Sequence, residues 1–381
     1  MPDLGVYLHY PWCRKRCPYC DFAVEVGPPS HDEYLAAIRR ELADRAPGFT
    51  GELASIYLGG GTPSLWRPDC IAAAIAEIRQ AFAGEPREIT IEANPTDVTD
   101  EHLAAWRAAG IDRLSIGVQS YAQPELVTLG RDHRFGDGRA AIARSLAAGF
   151  ATSADFILGV ADPVTAAAPI VEDGAATAPE LDLRPDHLSV YELTIEDRTA
   201  FGQRVRDGRL VPKSDDTIAD LYIATHDRLT AAGYDHYEIS SYARPGRRAV
   251  HNSLYWRGAA FLGLGVGAAS LQLRPDGASR RATNPRRASE YFAAPGAPAE
   301  VTDSPADEAA ADRAWLGLRT SDGVAEADLA AAPGVADWLV EAGLAERREG
   351  RICPTLRGFL MSDRIATRVV TSWGAKLGQT G

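Results

Sequence analysis

The chain has 381 residues, and its 40 Lys and Arg against 52 Asp and Glu leave a formal net charge of −12 at pH 7. A hydrophobic fraction of 45% is that of a globular protein with a large core, which excludes fibrous and wholly disordered classes. The acidic balance also argues against a general nucleic-acid-binding protein, because such a protein needs a basic face.

Strand-like and helix-like segments alternate along the first half of the chain. Apolar runs rich in β-branched and aromatic residues predict strands over residues 5–10, 55–58, 88–93, 113–118, 153–159 and 187–193. Apolar residues at helical spacing predict helices over 31–45, 69–82, 99–109 and 138–148, with Thr99 as an N-cap and Gly110 after the last turn. This order predicts an α/β fold with a parallel sheet, either open or curled into a barrel.

The alternation fades beyond residue 195. We predict a loop with a weak helix over 162–180, one amphipathic helix over 214–232, a loop-rich stretch over 234–270 and a linker over 293–306. Helices over 307–319 and 335–342, followed by a hairpin over 344–352, indicate a small winged-helix-like unit. The predicted domains are therefore residues 1–200, 201–292 and 307–381.

Polar or glycine residues stand at the end of nearly every predicted strand. They are Gly59, Gly60, Gly61, Thr62, Glu92, Gln119, Asp155 and Glu192. The carboxyl ends of parallel strands lie at one edge of a sheet, where α/β proteins place their chemistry. The sequence therefore predicts a functional site at this edge.

Three of the five cysteines, Cys13, Cys17 and Cys20, lie within eight residues directly after the first predicted strand. Three thiolates on one loop can hold three corners of a [4Fe–4S] cluster and leave the fourth iron open for a small chelating molecule. A zinc site is the alternative, although it needs a fourth ligand and usually paired C-x2-C spacings. The basic residues Arg14, Lys15 and Arg16 predict a lowered thiol pKa, which favours ligation by thiolates.

The Cys-x3-Cys-x2-Cys spacing, with Tyr19 before the last cysteine, resembles the radical SAM superfamily. The segment Gly59-Gly60-Gly61-Thr62-Pro63 at the next strand end supports the resemblance. The resemblance implies a partial (β/α)6 TIM-like barrel and a [4Fe–4S] cluster whose open iron is chelated by S-adenosylmethionine (SAM). It also implies that SAM lies against Tyr7, Tyr19, Gly60, Gly61, Thr62, Glu92, Gln119, Arg131 and Asp155.

Within the superfamily the chain resembles the coproporphyrinogen-oxidase-like branch and, in that branch, the HemW family of heme chaperones. Oxygen-independent coproporphyrinogen oxidases have a fourth cysteine two residues after the third, and Phe22 stands at that position here. The segment His251-Asn252-Ser253-Leu254-Tyr255-Trp256 matches the HNxxYW pattern that is associated with heme binding in the chaperones. The resemblance implies that His251 is an axial heme ligand and that Tyr255 and Trp256 support the porphyrin.

The chain departs from the pattern of this branch at three places. Ala260 stands where an acidic residue is usual, Ala269 stands where a histidine is usual, and residues 159–165 lack the usual Pro-Gly-Gln-Thr turn. Two of these departures lie close after the HNxxYW segment. They therefore affect the expected porphyrin side more than the expected SAM side.

These features predict a heme chaperone that carries a SAM-liganded [4Fe–4S] cluster and passes heme to an acceptor protein. The alternatives are a catalytic radical SAM enzyme, either a coproporphyrinogen III oxidase or a related methyltransferase, and a DNA-binding regulator that uses the C-terminal unit. Acidic residues outnumber basic ones in that unit, which argues against DNA as a partner.

The expected partners are heme, an acceptor protein, and an electron donor such as flavodoxin or ferredoxin, with peripheral membrane association through the acceptor. No nucleic acid is expected. Because the sequence shows neither a secretory signal nor an apolar run of about eighteen residues, we expect a cytoplasmic protein.

Overall fold

The computed structural model describes residues 1–134, 136–160 and 182–374. The strands are β1 (Asp3–Tyr10), β2 (Trp12–Cys13), β3 (Glu25–Val26), β4 (Glu52–Gly60), β5 (Glu88–Ala93), β6 (Arg113–Gln119), β7 (Ala151–Leu158), β8 (His187–Glu192), β9 (Asp235–Glu238), β10 (Ser241–Ala243), β11 (Ala260–Gly265), β12 (Ala269–Leu273), β13 (Ser279–Thr283), β14 (Glu300–Ser304), β15 (Val324–Ala325), β16 (Ala345–Arg348) and β17 (Arg351–Pro354). The α-helices are α1 (His31–Arg45), α2 (Pro68–Ala81), α3 (Asp100–Ala108), α4 (Gln123–Thr128), α5 (Asp137–Ala147), α6 (Ala200–Arg206), α7 (Asp215–Ala231), α8 (Val250–Trp256), α9 (Ala288–Ala293), α10 (Ala306–Gly317), α11 (Val335–Glu341), α12 (Leu356–Leu360) and α13 (Ser362–Gly374). Short 3-10 helices span Ala46–Gly48, Pro63–Leu65, Pro95–Asp97 and Glu326–Leu329.

One large sheet organises most of the chain. Its order is β14-β13-β12-β11-β1-β4-β5-β6-β7-β8-β10-β9. The strands from β1 to β8 pair in parallel, as the alternation of strands and helices predicts, and β11 adds a further parallel strand beside β1. All their carboxyl ends therefore point the same way.

Apolar faces of the helices cover this sheet and form its main core. Helix α1 buries Tyr34, Leu35, Ile38 and Leu42, the face that the helical spacing predicts. Helix α3 begins as predicted, since the Thr99 hydroxyl accepts a hydrogen bond from the backbone N–H of His102. The apolar residues from which the helix was predicted are thus the ones that pack against the parallel sheet.

Two predictions about the second half of the chain are wrong. The 293–306 segment is not a linker, because Glu300–Ser304 pairs with β13 and extends the large sheet. The 234–270 stretch is not mainly loop, because it contains β9, β10, α8 and β11. Its many glycines suit close approaches of the backbone, as at Gly263, where an added Cβ would lie 2.0 Å from the Ala269 carbonyl oxygen. The predicted weak helix over 162–180 lies outside the described residues.

The C-terminal region has a core of its own. It is formed by Ala311, Ala314, Leu318, Val324, Leu329, Val335, Leu339, Leu344, Ile352, Ile365, Val369 and Trp373, among others. The predicted hairpin is present as β16 and β17, and β15 joins it to make a three-stranded sheet. Backbone hydrogen bonds from Ile239 to Arg319 and from Ser321 to Tyr237 tie this unit to the large sheet. A winged-helix relationship remains a prediction.

No helix within the described ranges combines the length and apolar character needed to cross a membrane.

Candidate functional site

A cavity of about 360 Å³ lies at the carboxyl ends of the parallel strands. The chain segments after β1, β4, β5, β6 and β8 contribute to its wall, together with Asp155 and Ile157 of β7. Of the residues predicted at strand ends, Gly60, Gly61, Thr62, Glu92, Gln119, Asp155 and Glu192 line it. The parallel arrangement therefore gathers side chains that are far apart in the sequence.

The cysteine loop forms one side of this first cavity. Cys13 belongs to the short strand β2, which pairs with β3, and a backbone bond from Cys20 to the Cys17 carbonyl closes a turn around the other two thiols. All three cysteines are half-buried and line the cavity. The Thr62 hydroxyl contacts the Cys13 sulfur at 3.5 Å, and Arg131 Nη1 contacts the Cys17 sulfur at 3.8 Å.

Cys13 and Cys20 do not have the lowered thiol pKa that the neighbouring basic residues predict. Burial raises the pKa of Cys13 to about 11, and it also raises the pKa of Cys20. The prediction fails because desolvation by burial outweighs the nearby positive charges, although Arg131 lowers the pKa of Cys13 and Arg16 lowers that of Cys20. Arg14 forms a two-bond ion pair with Asp97, and Arg16 donates to a backbone carbonyl. Metal binding by these thiols would therefore release protons.

The glycine segment brings the backbone close to both the cysteine loop and the cavity. Gly60 has φ +112°, and a Cβ there would lie 2.7 Å from the His9 ring. A Cβ on Gly61 would lie 2.6 Å from the Pro11 carbonyl oxygen, and the Gly61 N–H donates to Tyr10 at 2.8 Å. Side chains are excluded at both positions, so the cavity wall here is backbone.

Glu92 is a buried carboxyl group of the cavity wall that is held by two hydrogen bonds. Its Oε1 accepts from the Tyr57 hydroxyl at 2.8 Å, and its Oε2 accepts from the Gly60 N–H at 3.1 Å. Burial raises the pKa of Glu92 to about 7, and these hydrogen bonds act in the opposite direction. The carboxylate can therefore take up or release a proton near neutral pH, and a cationic ligand would favour its ionised form.

Asp155 and Gln119 lie on the neighbouring strands. Asp155 accepts from the Ser115 hydroxyl at 2.7 Å and from the Ser153 hydroxyl at 3.1 Å, and burial raises its pKa. Gln119 has φ +67°, at an irregularity in the pairing of β6 with β7. This left-handed backbone is unusual for a residue other than glycine and turns Gln119 toward the cavity.

Arg131 crosses the cavity wall as a buried cation. Its Nη2 donates to Asn94 at 2.6 Å and to the Gly117 carbonyl at 3.1 Å. Its Nε is buried and has no hydrogen-bond partner. An unpaired buried N–H of this kind costs roughly 1–3 kcal/mol.

The two predicted tyrosines differ in position. Tyr19 lines the first cavity and its ring packs near Phe201, with ring centres 6.1 Å apart. Tyr7 is not among the lining residues, because its hydroxyl pairs with His9 Nδ1 at 3.0 Å and its ring stacks on Tyr57. Tyr7 therefore lies beside a lining residue, Tyr57, without lining the cavity itself.

His251 lies at the opposite, amino-terminal ends of the strands, and on helix α8 rather than in a loop as predicted. Its Nδ1 lies 2.8 Å from the Ser55 hydroxyl, and its Nε2 lies 2.8 Å from the Tyr255 hydroxyl. The side chain is 1% exposed, and burial lowers its pKa to about 3. Two backbone N–H groups at the start of α8 donate to Glu88, which fixes the helix against β5.

Trp256 occupies another face of α8. It lines a second cavity of about 380 Å³, between α8 and the C-terminal unit, together with Ser253 and Arg257. His251 and Tyr255 are absent from that wall. The three residues predicted to bind heme are thus divided between a buried pair and one cavity residue.

Several cavity residues are missing from the prediction. Tyr57, Asn94, Ser115 and Tyr191 all line the first cavity. The period-2 alternation could have indicated Ser115, because it lies two residues before Gly117, a glycine of the cavity wall on the same strand. Asn94 follows Glu92 after a strand end and had no comparable signal.

The donor set fits an iron–sulfur cluster and SAM better than a single metal ion. Three thiols beside an open cavity match a cluster with one iron left free for a ligand, whereas a structural zinc site needs a fourth protein ligand. Arg131, the backbone-lined wall and the carboxyl groups of Glu92 and Asp155 are suited to a ligand such as SAM, which carries charges of both signs and a net positive charge. Phe22, at the position of the oxidases' fourth cysteine, is 60% exposed beside the cavity.

Comparisons with known proteins agree with these features. Residues 7–162 match the model of the radical SAM superfamily. The chain is 37% identical over 293 residues to the heme chaperone HemW of Escherichia coli, covering 75% of each chain. It is 35% identical over 377 residues to HemW of Mycobacterium tuberculosis, covering 95% of this chain and 93% of the relative. The structure matches E. coli coproporphyrinogen III oxidase (HemN) with a TM-score of 0.78 at 23% identity, over 97% of this chain and 90% of the other, which supports the fold.

Proposed function

Since the chain belongs to the HemW family within the radical SAM superfamily, we propose that it is a heme chaperone, which binds heme and passes it to an acceptor protein. The observation that carries this proposal is the similarity to HemW chaperones over nearly the whole chain. Phe22 in place of a fourth cysteine is consistent with it.

In this proposal the first cavity holds the [4Fe–4S] cluster and SAM. Cys13, Cys17 and Cys20 would bind three irons, and SAM would occupy the fourth. The reduced cluster supplies an electron to SAM when both are bound. The residues that would hold SAM are Tyr19, Gly60, Gly61, Thr62, Glu92, Gln119, Arg131 and Asp155, with Tyr7 beside Tyr57. The raised pKa of Glu92 supports this assignment, because a cationic ligand would draw the carboxylate into its charged form.

The proposed heme residues are His251, Tyr255 and Trp256. Ligation of iron by His251 Nε2 would require the Tyr255 hydroxyl to move away, since the two atoms lie 2.8 Å apart. The contact between His251 Nδ1 and Ser55 supports the assignment, because metal-binding histidines usually have their other ring nitrogen held by a polar partner.

An electron donor with an acidic surface suits the outer side of the cysteine loop. Arg16, Arg198, Arg204 and Arg209 line a surface depression there beside Cys17 and Cys20. Arg198 pairs with Asp21 and Arg209 pairs with Asp207, whereas Arg16 and Arg204 have no ion-pair partner among the described residues. Flavodoxin and ferredoxin are donors of this kind. We further propose a cytoplasmic location and membrane contact only through the acceptor.

The test is anaerobic reconstitution of the full chain, followed by optical spectra with SAM and heme added separately. We expect a heme Soret band in the wild-type protein and transfer of its heme to an apo-acceptor protein. In His251→Ala we expect the Soret band to be shifted or lost. Heme binding with the same spectrum in His251→Ala would remove His251 as the ligand. Absence of heme binding by the wild type, together with turnover of a porphyrinogen and formation of 5′-deoxyadenosine, would favour the catalytic alternative.

A further inference from the structure

The second cavity combines an aromatic wall with a strong positive charge. Trp256 is the last residue of α8 and Arg257 follows it directly, and Arg313 reaches the cavity from α10. Arg248 and Arg351 complete the basic side. A volume of about 380 Å³ is at the lower end of the range of small-molecule sites, and it suits one edge of a large flat ligand.

Not all of these arginines are neutralised by the protein. Arg248 pairs with Asp322 at 2.9 Å, and Arg351 donates to backbone carbonyls. The guanidinium groups of Arg257 and Arg313 have no hydrogen-bond or ion-pair partner in the part of the chain that the structure describes.

The path of Arg313 depends on one glycine. Gly258 has φ +63°, and a Cβ there would lie 2.6 Å from Arg313 Cγ. Any larger residue would displace the stem of Arg313 from its present course beside the cavity. The chain therefore keeps space for this cation although it has no internal partner.

Four arginines against two aspartates, Asp322 and Asp328, leave an excess of two positive charges at this cavity. A dianion with a flat aromatic body matches both that excess and the Trp256 wall, since guanidinium groups bind carboxylates through paired hydrogen bonds. Heme has two propionates on one edge of a flat ring.

We propose that the second cavity binds the propionate edge of a porphyrin through Arg257 and Arg313, with Trp256 against the ring; this inference rests on the heme-chaperone function proposed above. It explains how a chain of net charge −12 accommodates an anionic cargo. It also gives a role to the face of α8 that carries Trp256.

The experiment titrates the full chain with heme, with protoporphyrin IX and with the dimethyl ester of protoporphyrin IX, which lacks the two charges. We expect the Arg257→Ala/Arg313→Ala double variant to bind heme and protoporphyrin about 10- to 100-fold more weakly, and the ester with unchanged affinity. Asp328→Asn should bind the dianionic porphyrins about threefold more tightly, because it removes a repelling charge. A gain of this kind cannot arise from misfolding. The matched control is Arg40→Ala, an exposed arginine of α1 outside this cavity.

The outcomes separate this inference from the proposed function. Wild-type binding of heme with unchanged affinity in the double variant and in Asp328→Asn would overturn the inference alone. Displacement of the porphyrin by inorganic phosphate at equal concentration would identify a simple anion site and would also overturn it. Absence of heme binding by the wild type would overturn both.

Discussion

The motif residues are arranged differently at the two ends of the parallel strands. At the carboxyl ends, residues from six chain segments line one cavity. At the amino ends, the HNxxYW residues lie on one short helix but separate into a buried pair, His251 and Tyr255, and a cavity residue, Trp256. The carboxyl ends of parallel strands lie at the same edge of the sheet whatever their sequence. Along a helix, in contrast, the position of a residue within each turn determines which side of α8 its side chain faces. A motif therefore predicts a site more reliably at strand ends than along a helix.

The largest expected effect concerns the carboxyl-end cavity. Cys17→Ser should lose the bound cluster, because a serine hydroxyl is a poor ligand for iron and no other cysteine lines this cavity beyond Cys13 and Cys20. We expect iron and sulfide after anaerobic reconstitution to fall from about four of each per chain to nearly none.

The matched controls are Cys70→Ser and Cys353→Ser, since both thiols are buried away from this cavity. Each should keep its full iron content if it remains folded. A Cys17→Ser protein that retains the full amount of iron would contradict the assignment of the cluster to this loop.

The second expected effect is a pH dependence that arises from Glu92. Its pKa is about 7 in the folded chain and near 4.5 in an unfolded one, so between these values the folded state holds a proton that the unfolded state has released. The free energy of unfolding should therefore fall as pH rises from about 5 to 7, by at most about 1.4 kcal/mol per pH unit from this group. Glu92→Gln should make that slope shallower in urea unfolding measured at several pH values.

Glu33→Gln, on the exposed side of α1, provides the control and should leave the slope unchanged. Addition of SAM to the reconstituted wild type should also reduce the slope, because its positive charge favours the ionised carboxylate. An equal slope in wild type and Glu92→Gln would mean that this carboxylate does not hold its proton toward neutral pH.

How far the sequence predicts each region follows from the interactions involved. The structure confirms the predicted parallel strands and the Thr99 cap. These features, like the polar residues at the strand ends, were predictable because they depend on local sequence patterns. The raised pKa values of Cys13 and Cys20 are not predictable in this way, because they depend mainly on burial by the folded chain. The turn of Gln119 into the cavity depends on an irregularity between two strands that no single segment encodes.

The difference between local patterns and contacts with distant segments also explains why strand β14 was not predicted. Residues 293–306 are rich in Ala and Pro and predict a linker by composition, but Glu300–Ser304 finds a partner in β13. Edge strands can form from weak local preferences when a neighbour supplies the hydrogen bonds. The helix around His251 was missed for a related reason, because its first turn is anchored by Glu88, about 160 residues earlier.

The smallest expected effect tests the buried pair at the amino ends. Tyr255→Phe removes the hydroxyl that contacts His251 Nε2, so the free energy of unfolding should fall by roughly 0.5–1.5 kcal/mol. The same change uncovers the nitrogen that would bind iron, so heme should bind more tightly through His251 and the Soret band should keep its ligand-dependent position. The double variant Tyr255→Phe/His251→Ala should lose that gain. If Tyr255→Phe weakens heme binding instead, the Tyr255 hydroxyl itself contributes to the heme site. Tyr255 would then belong with the residues of α8 that contact heme and not only to the buried pair.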